Sequence, residues 1–212
     1  MYQTADRLIA LLDKKLKRYI NRLDVTGFSE LNALTIQNET TELIKRLLKD
    51  NEEAFKEIAE DAKAEAAEDI ENLTGEKALL IATDSKYVDE VLSRYNEITE
   101  YLYYPEADRK RARLSEALIV AVMMQDRMRY HDNLRRFANL WHTQTVQYEI
   151  MVTDDTRMDM FKKNGIRKVK WNAEHDEKTC KVCKERDGKI YPIDTVPGKP
   201  HYNCRCWLTP VK

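Results

Sequence analysis

Cys180, Cys183, Cys204 and Cys206 are the whole thiol supply of this 212-residue chain. They stand as C-x2-C, a gap of twenty residues and then C-x-C, with His201 three residues before Cys204. Two thiolates separated by two residues on a turn suit one tetrahedral zinc ion, each at ~2.3 Å, and a second pair must then arrive from elsewhere in the chain. A gap of this size fits a zinc ribbon or knuckle. His201-x2-Cys204 repeats the spacing of Cys180 and Cys183, which makes Cys180, Cys183, His201 and Cys204 the neatest ligand set. Cys206 competes with His201 for the fourth place, because in an extended segment Cys204 and Cys206 point to one face.

Other thiol chemistry explains the pattern less fully. A thioredoxin-like redox pair needs a βαβ setting with its first cysteine at a helix N-terminus, and neither follows here. A catalytic Cys–His pair leaves three cysteines without a task. Disulfides become reasonable if the protein ends in an oxidising place or inside a particle. Structural zinc is the reading the spacing favours, and a small module with few large apolar residues needs such a staple.

The elements that must carry these residues are mostly helical. Only 5 Gly and 5 Pro interrupt the chain, and most of them fall after Gly165. Leu8, Leu11, Leu12, Leu16, Tyr19, Ile20 and Leu23 recur at helical spacing over residues 4–24. Ser29 can cap a second helix, and Asp50 with Glu53 makes a capping box for a third. That third segment is rich in Ala and Glu, so it is expected to be exposed or to pair with another subunit. A further helix is expected from Asp84 or Ser85 to about Tyr101, with Pro105 at the start of the next. No breaker appears from Glu106 to about Met151, and a last helix is expected from Asp154 to Asn164, ended by Gly165. Met123, Met124, Met128, Leu134, Phe137 and Leu140 read as a core stripe.

After Gly165 the period changes. "IRKVKW", "DGKIY" and "CRCWLTPV" read as short strands separated by turns. The expected fold is therefore mainly α: an extended helical body over 1–164 and a small α+β, zinc-stapled module over 165–212.

The net charge of −1 conceals an asymmetry. Residues 162–212 hold 13 Lys+Arg against 6 Asp+Glu, and residues 1–161 hold 23 against 31. A basic tail on an acidic body permits non-specific contact with DNA or with an acidic protein surface. The N-terminal residues break every apolar run with a charge, so neither a signal peptide nor a membrane span is expected. The protein is expected to be made and folded in the cytoplasm.

The residues around the cysteines carry more than their spacing. "GIRKVKWNAEHDEKTCKVCKERDGKIYPID" and "PGKPHYNCRCWLTPV" resemble the C-terminal domain of the phage Mu protein F-like family of minor capsid, or head morphogenesis, proteins. The family's tryptophan strand, Asp before Thr-Cys-x-x-Cys, Asp-Gly turn and His-Pro-Asn-Cys-Arg-Cys ending fall on Trp171, Asp176, Thr179, Cys180, Cys183, Asp187, Gly188, His201, Asn203, Cys204, Arg205 and Cys206. Tyr202 stands where the family usually has proline. The match covers about 45 residues, while the N-terminal helices carry no recognised motif. The resemblance implies a structural, non-enzymatic protein of the virion, associated with the portal inside the phage head. It also implies contact with scaffold or major capsid protein and a link to DNA ejection.

Two rival readings come from the residues themselves. His201 and Asn203, with His175 and Asp176, invite comparison with a zinc-stapled, metal-dependent nuclease, which would need a free histidine as base and a second metal cluster. A zinc-ribbon DNA-binding protein would instead use the basic module directly, with steep salt dependence.

Overall fold

In the computed structural model, residues 31–94, 103–201 and 204–212 are described, together with Lys14, Lys17 and Arg18. The helix expected over 4–24, the cap at Ser29, the last turns of the helix expected to reach Tyr101, and Tyr202 and Asn203 lie outside the described residues. The elements run α1 (Ala33–Thr74), α2 (Ser85–Arg94), α3 (Tyr103–Met123), α4 (Arg127–Lys163), β1 (Lys168–Asn172), α5 (Lys181–Arg186), β2 (Ile190–Pro192) and β3 (Trp207–Val211). The protein is mainly helical with one small antiparallel sheet.

The helix boundaries depart from expectation where a cap signal meets an unbroken helical run. Asn32 opens α1 by accepting the Thr35 N–H at 2.9 Å. No Gly or Pro follows until Gly75, so the helix passes straight through Asp50 and Glu53, and the capping box expected there does not form. A side chain that could cap a helix does not start one when the preceding residues are already helical. Gly75, at φ +79, ends the run. The opposite departure occurs between α3 and α4, where the sequence predicts one continuous helix. Gln125 turns the chain at φ 52, and Asp126 restarts it by accepting the Arg129 N–H at 2.8 Å. Further on, α4 does not pause at Asp154 and ends at the Gly165 turn, where Gly165 has φ +71 and the Ile166 N–H reaches the Phe161 carbonyl at 3.0 Å.

Packing divides the chain into two compact units, residues 1–54 with 92–146 and residues 55–91 with 147–212. The composition shift at 164/165 marks the change from helix to sheet. Packing groups the residues differently, joining 165–212 with the second half of α1 and the end of α4. In the first unit Leu43, Ile44 and Leu47 of α1 share a core with Leu114 and Leu118 of α3 and with Tyr130, Leu134, Phe137 and Trp141 of α4. Of the expected stripe, Leu134 and Phe137 are in this core, whereas Met123, Met124, Met128 and Leu140 are exposed. The α3–α4 turn explains the methionines, because it places them at the helix ends rather than along a buried face.

In the second unit the Ala/Glu-rich half of α1 is buried along one side, contrary to expectation. Phe55, Ile58, Ala59, Ala62, Ala66 and Ile70 are all within 5% of full burial. The alanines let neighbouring backbone approach closely, so a stretch thin in large side chains still buries a full helical face. Ala66 and Ile70 pack with Met160 and Phe161 of α4 and with Ile166, Val169 and Ile193 around the sheet. The sheet order is β2-β1-β3, both pairs antiparallel, with Val169 opposite Tyr191 and Pro210, and Trp171 opposite Leu208. Val169 and Trp171 face inward and are buried. Within the same unit Arg157 of α4, 3% exposed, donates to Glu65 at 3.0 Å, to Asp69 and to the Leu208 carbonyl of β3 at 3.4 Å. This guanidinium ties α1, α4 and the sheet together.

Candidate metal centre

Three chain segments bring the predicted residues into one cluster. Cys180 sits at the N-cap of α5, its sulfur 3.4 Å from the Cys183 N–H, and Cys183 follows one turn later. The Cys183 sulfur lies 3.5 Å from the Cys204 sulfur and 3.8 Å from His201 Nε2. Two sets of ligand atoms each fall within 4.8 Å of one another: Cys180, Cys183 and His201, and Cys183, Cys204 and Cys206. All four cysteines are free thiols. Four residues therefore surround Cys183, which belongs to both sets, and the cluster could hold a metal ion.

The 3.5 Å between the Cys183 and Cys204 sulfurs is close to the ~3.8 Å at which two thiolates stand on one tetrahedral ion, while no four of the donors fall within 4.8 Å of one another. The donors are sulfur and imidazole with no carboxylate among them, a soft set that favours zinc-type ions over magnesium or calcium. The thiols differ in setting. Cys183, Cys204 and Cys206 are 1–3% exposed, whereas His201 is exposed. Burial pushes the Cys183 and Cys206 thiols up. The Cys183 N–H pointing at the Cys180 sulfur holds that thiol below its ordinary value. Buried thiols stay protonated on their own, and a bound cation reverses that preference.

The surroundings supply a further polar group. Trp171 is 1% exposed and shares a buried cluster with Ala173, Cys183, Cys204 and Cys206. Its indole N–H is buried and has no hydrogen-bond partner among the described residues. A donor left unmet in the interior costs stability. The Cys206 sulfur, in the same buried cluster, is the acceptor that its surroundings offer: burial raises that thiol, and this indole lowers it. Arg186 of α5 lies over the ring, 5.0 Å from its centroid, and donates to the Gly198 carbonyl at 2.7 Å.

Each ligand segment is tied down separately. Arg205, between Cys204 and Cys206, grips both oxygens of Asp176 at 2.7 Å. Asp176 also accepts the Lys178 N–H and the Thr179 hydroxyl, closing the turn that leads into Cys180. The Arg205 guanidinium, with the Thr179 hydroxyl and the Lys178 N–H, holds the Asp176 carboxyl well below the usual carboxylate range. Asp187 closes α5 by donating its N–H to the Cys183 carbonyl at 3.0 Å, and its carboxylate accepts the Ala173 N–H at 2.8 Å. Gly188, at φ +73, then donates to the Trp171 carbonyl at 2.8 Å. Lys199 reaches the Cys204 carbonyl at 3.2 Å and Asp154 of α4 at 2.6 Å, which pins the second cysteine loop to the helix.

Of the residues in the nuclease comparison, Asn203 lies outside the described residues and His201 is in the thiol cluster. His175 is exposed and lies 3.2 Å from Asp187, while Asp176 is committed to Arg205. Among the described residues no further group of His, Cys, Asp or Glu side chains beyond the two overlapping sets is arranged to hold a metal. Arg157, Lys199 and Arg186 had no signal in the sequence beyond being charged residues in a charged chain, and Asp154 was read only as a helix start. Trp171 was visible as a strand residue and as the first position of the family resemblance, with no sign of its place beside the thiols. No helix among the described residues is long and apolar enough to cross a membrane. No family model, curated protein or solved structure matches the chain.

Proposed function

We propose that Cys180, Cys183, Cys204 and Cys206 hold one structural zinc ion, and that the chain is a minor capsid, or head morphogenesis, protein of a tailed bacteriophage. The observation that carries the metal reading is that buried Cys183 belongs to two overlapping sets of possible ligands, which together bring in the other three free thiols. A closed, buried thiolate site suits a structural ion, whereas a catalytic one keeps a place open to water or substrate. Cys206 takes the fourth position because it is buried beside the unmet Trp171 N–H. His201 stays on the exposed side, close enough to donate to a thiolate from outside the ligand set. Zinc would neutralise the buried thiolates and join the loops before β2 and β3, a task that the few apolar residues of this module leave undone.

The phage assignment is supported by the ordered pattern from Trp171 to Cys206, in which Asp176, Asp187, Gly188 and Arg205 each have a mechanical task around the cluster. In this reading the protein is non-enzymatic and sits at the portal inside the head, where scaffold or major capsid protein would be its neighbours. Metal analysis of the purified chain should give one zinc per chain, lost in Cys183→Ser and Cys204→Ser. Co-purification with the portal ring of the same phage tests the assembly role. A chain absent from purified heads and from portal complexes would overturn that role without touching the metal reading.

A further inference from the structure

The sheet of the second unit has a second face. Cross-strand partners in an antiparallel pair share a face, so the pairs Lys170–Ile190, Lys170–Thr209 and Asn172–Trp207 place these side chains together, opposite buried Val169 and Trp171. Lys168, paired with Pro192 and Val211, continues the same row. Ile190 is 57% exposed and Lys168 is exposed, while Lys170, Asn172, Trp207 and Thr209 are partly exposed. Met160 and Phe161 of α4 pack with Val169 on the other side. The outer face carries two lysines and no acidic residue, and neither lysine forms an ion pair with the described residues. Of the chain's three tryptophans, Trp141 and Trp171 are buried and Trp207 alone reaches the surface.

We infer that this outer face of the β2-β1-β3 sheet binds single-stranded nucleic acid, with Lys168 and Lys170 on phosphates and a base stacked on Trp207. The two lysines project from alternate positions of the central strand, about 7 Å apart along it, so they form a short positive track on a flat surface. An aromatic ring beside such a track accepts any base, because every base has a π-face. A duplex offers the lysines phosphates but keeps its bases stacked, so Trp207 would gain nothing from it. An acidic protein would use the lysines and leave the aromatic without a specific role. The surface stands on the sheet alone and does not depend on the portal reading.

The test uses the full chain with fluorescein-labelled oligothymidylate of fifteen nucleotides, the corresponding duplex and polyglutamate, each titrated at 25–200 mM salt. Oligothymidylate is expected to bind more tightly than the duplex and to quench tryptophan emission from Trp207. Trp207→Leu should weaken binding at least about fivefold, the lower end for one stacked base, and Trp207→Phe should restore most of it. Lys168→Ala with Lys170→Ala should flatten the log–log salt dependence by about 1.4, or about 0.7 for each phosphate no longer neutralised. Circular dichroism and zinc content of each variant show whether the fold and metal centre are intact. Four outcomes overturn the inference: no binding at 25 mM salt, equal affinity for duplex, preference for polyglutamate, or folded variants with unchanged affinity. None of them bears on the zinc content, so failure here is distinct from failure of the metal reading.

Discussion

Arg205 holds both carboxylate oxygens of Asp176 at 2.7 Å, and the two residues come from opposite cysteine loops. Arg205 sits between two of the thiols, and Asp176 closes the turn that leads to the other two. The pair therefore sets the spacing of the loops independently of any ion between them. A planar, bidentate guanidinium–carboxylate contact fixes orientation as well as distance, which a lysine could not do.

Asp176→Asn should loosen this registration and make the cluster lose metal more readily to a chelator, with Arg205→Lys showing a similar but smaller effect. The pH dependence follows from the lowered carboxyl. Its stabilising contribution is present above the ordinary aspartate value of about 3.9 and is lost as pH falls below it. Urea midpoints of the wild type and Asp176→Asn should differ at pH 7 and converge as pH falls from about 4 towards 2.5. A constant gap across that range would show that the pair contributes nothing through its charge.

Cys206→Ser and His201→Ala separate the two candidates for the fourth ligand. With cobalt in place of zinc, the thiolate charge-transfer intensity should fall by about a quarter in Cys206→Ser and stay unchanged in His201→Ala, since intensity follows the number of bound thiolates. Unchanged charge-transfer intensity in Cys206→Ser, with the cobalt d–d bands shifted in His201→Ala, would assign the fourth place to His201.

Trp171→Phe removes the indole N–H while keeping most of the buried ring. If that N–H meets the Cys206 thiolate, metal affinity should fall about tenfold, the lower end for losing a partner behind a ligand. A competition titration against a chelator reads the affinity. An unchanged constant, with the cobalt spectrum also unmoved, would leave the ring a packing role only.

Arg157→Leu tests the junction that supports the sheet. Its partners Glu65 and Asp69 keep 41% and 34% of their side-chain surface exposed, so they can be rehydrated when the cation is gone. The expected loss is about 3 kcal/mol, the lower end for stripping one member from a buried ion pair. Chemical denaturation followed by circular dichroism measures it, and a loss within about 0.5 kcal/mol, the scatter of ordinary surface substitutions, would sink the clamp.

The short-range signals of the second unit were legible. Alternation around Trp171 and the Asp187-Gly188 turn became the expected strand and turn, and of the expected strand "CRCWLTPV" the part from Trp207 to Val211 formed, because φ > 0 at Gly188 and a period of two are local properties. The helix limits were less legible. Asp50 carried a cap signal that a helix already under way ignored, and Gln125 carried no breaker signal where the chain turned. Burial was the least legible. Ala59, Ala62 and Ala66 looked too small to fill a core, yet smallness is what allows close helix contact. Met123, Met124 and Met128 looked like core and stand exposed beside a turn that no residue type announced.

By itself, the sequence determined that a mainly helical chain carries a basic, turn-rich module containing every thiol, and that those thiols fall in two closely spaced pairs beside a histidine. Ligand chemistry and turn chemistry depend on residue types a few positions apart, which is why these features could be read directly. Only the tertiary structure decided that His201 is exposed while Cys206 is buried against Trp171, that Arg205 answers Asp176, and that Arg157 joins the sheet to two helices. It also decided which side of the sheet Lys168, Lys170 and Trp207 share. These are relations between residues as much as 92 positions apart, set by which surfaces the folded chain removes from water, and no local pattern encodes them.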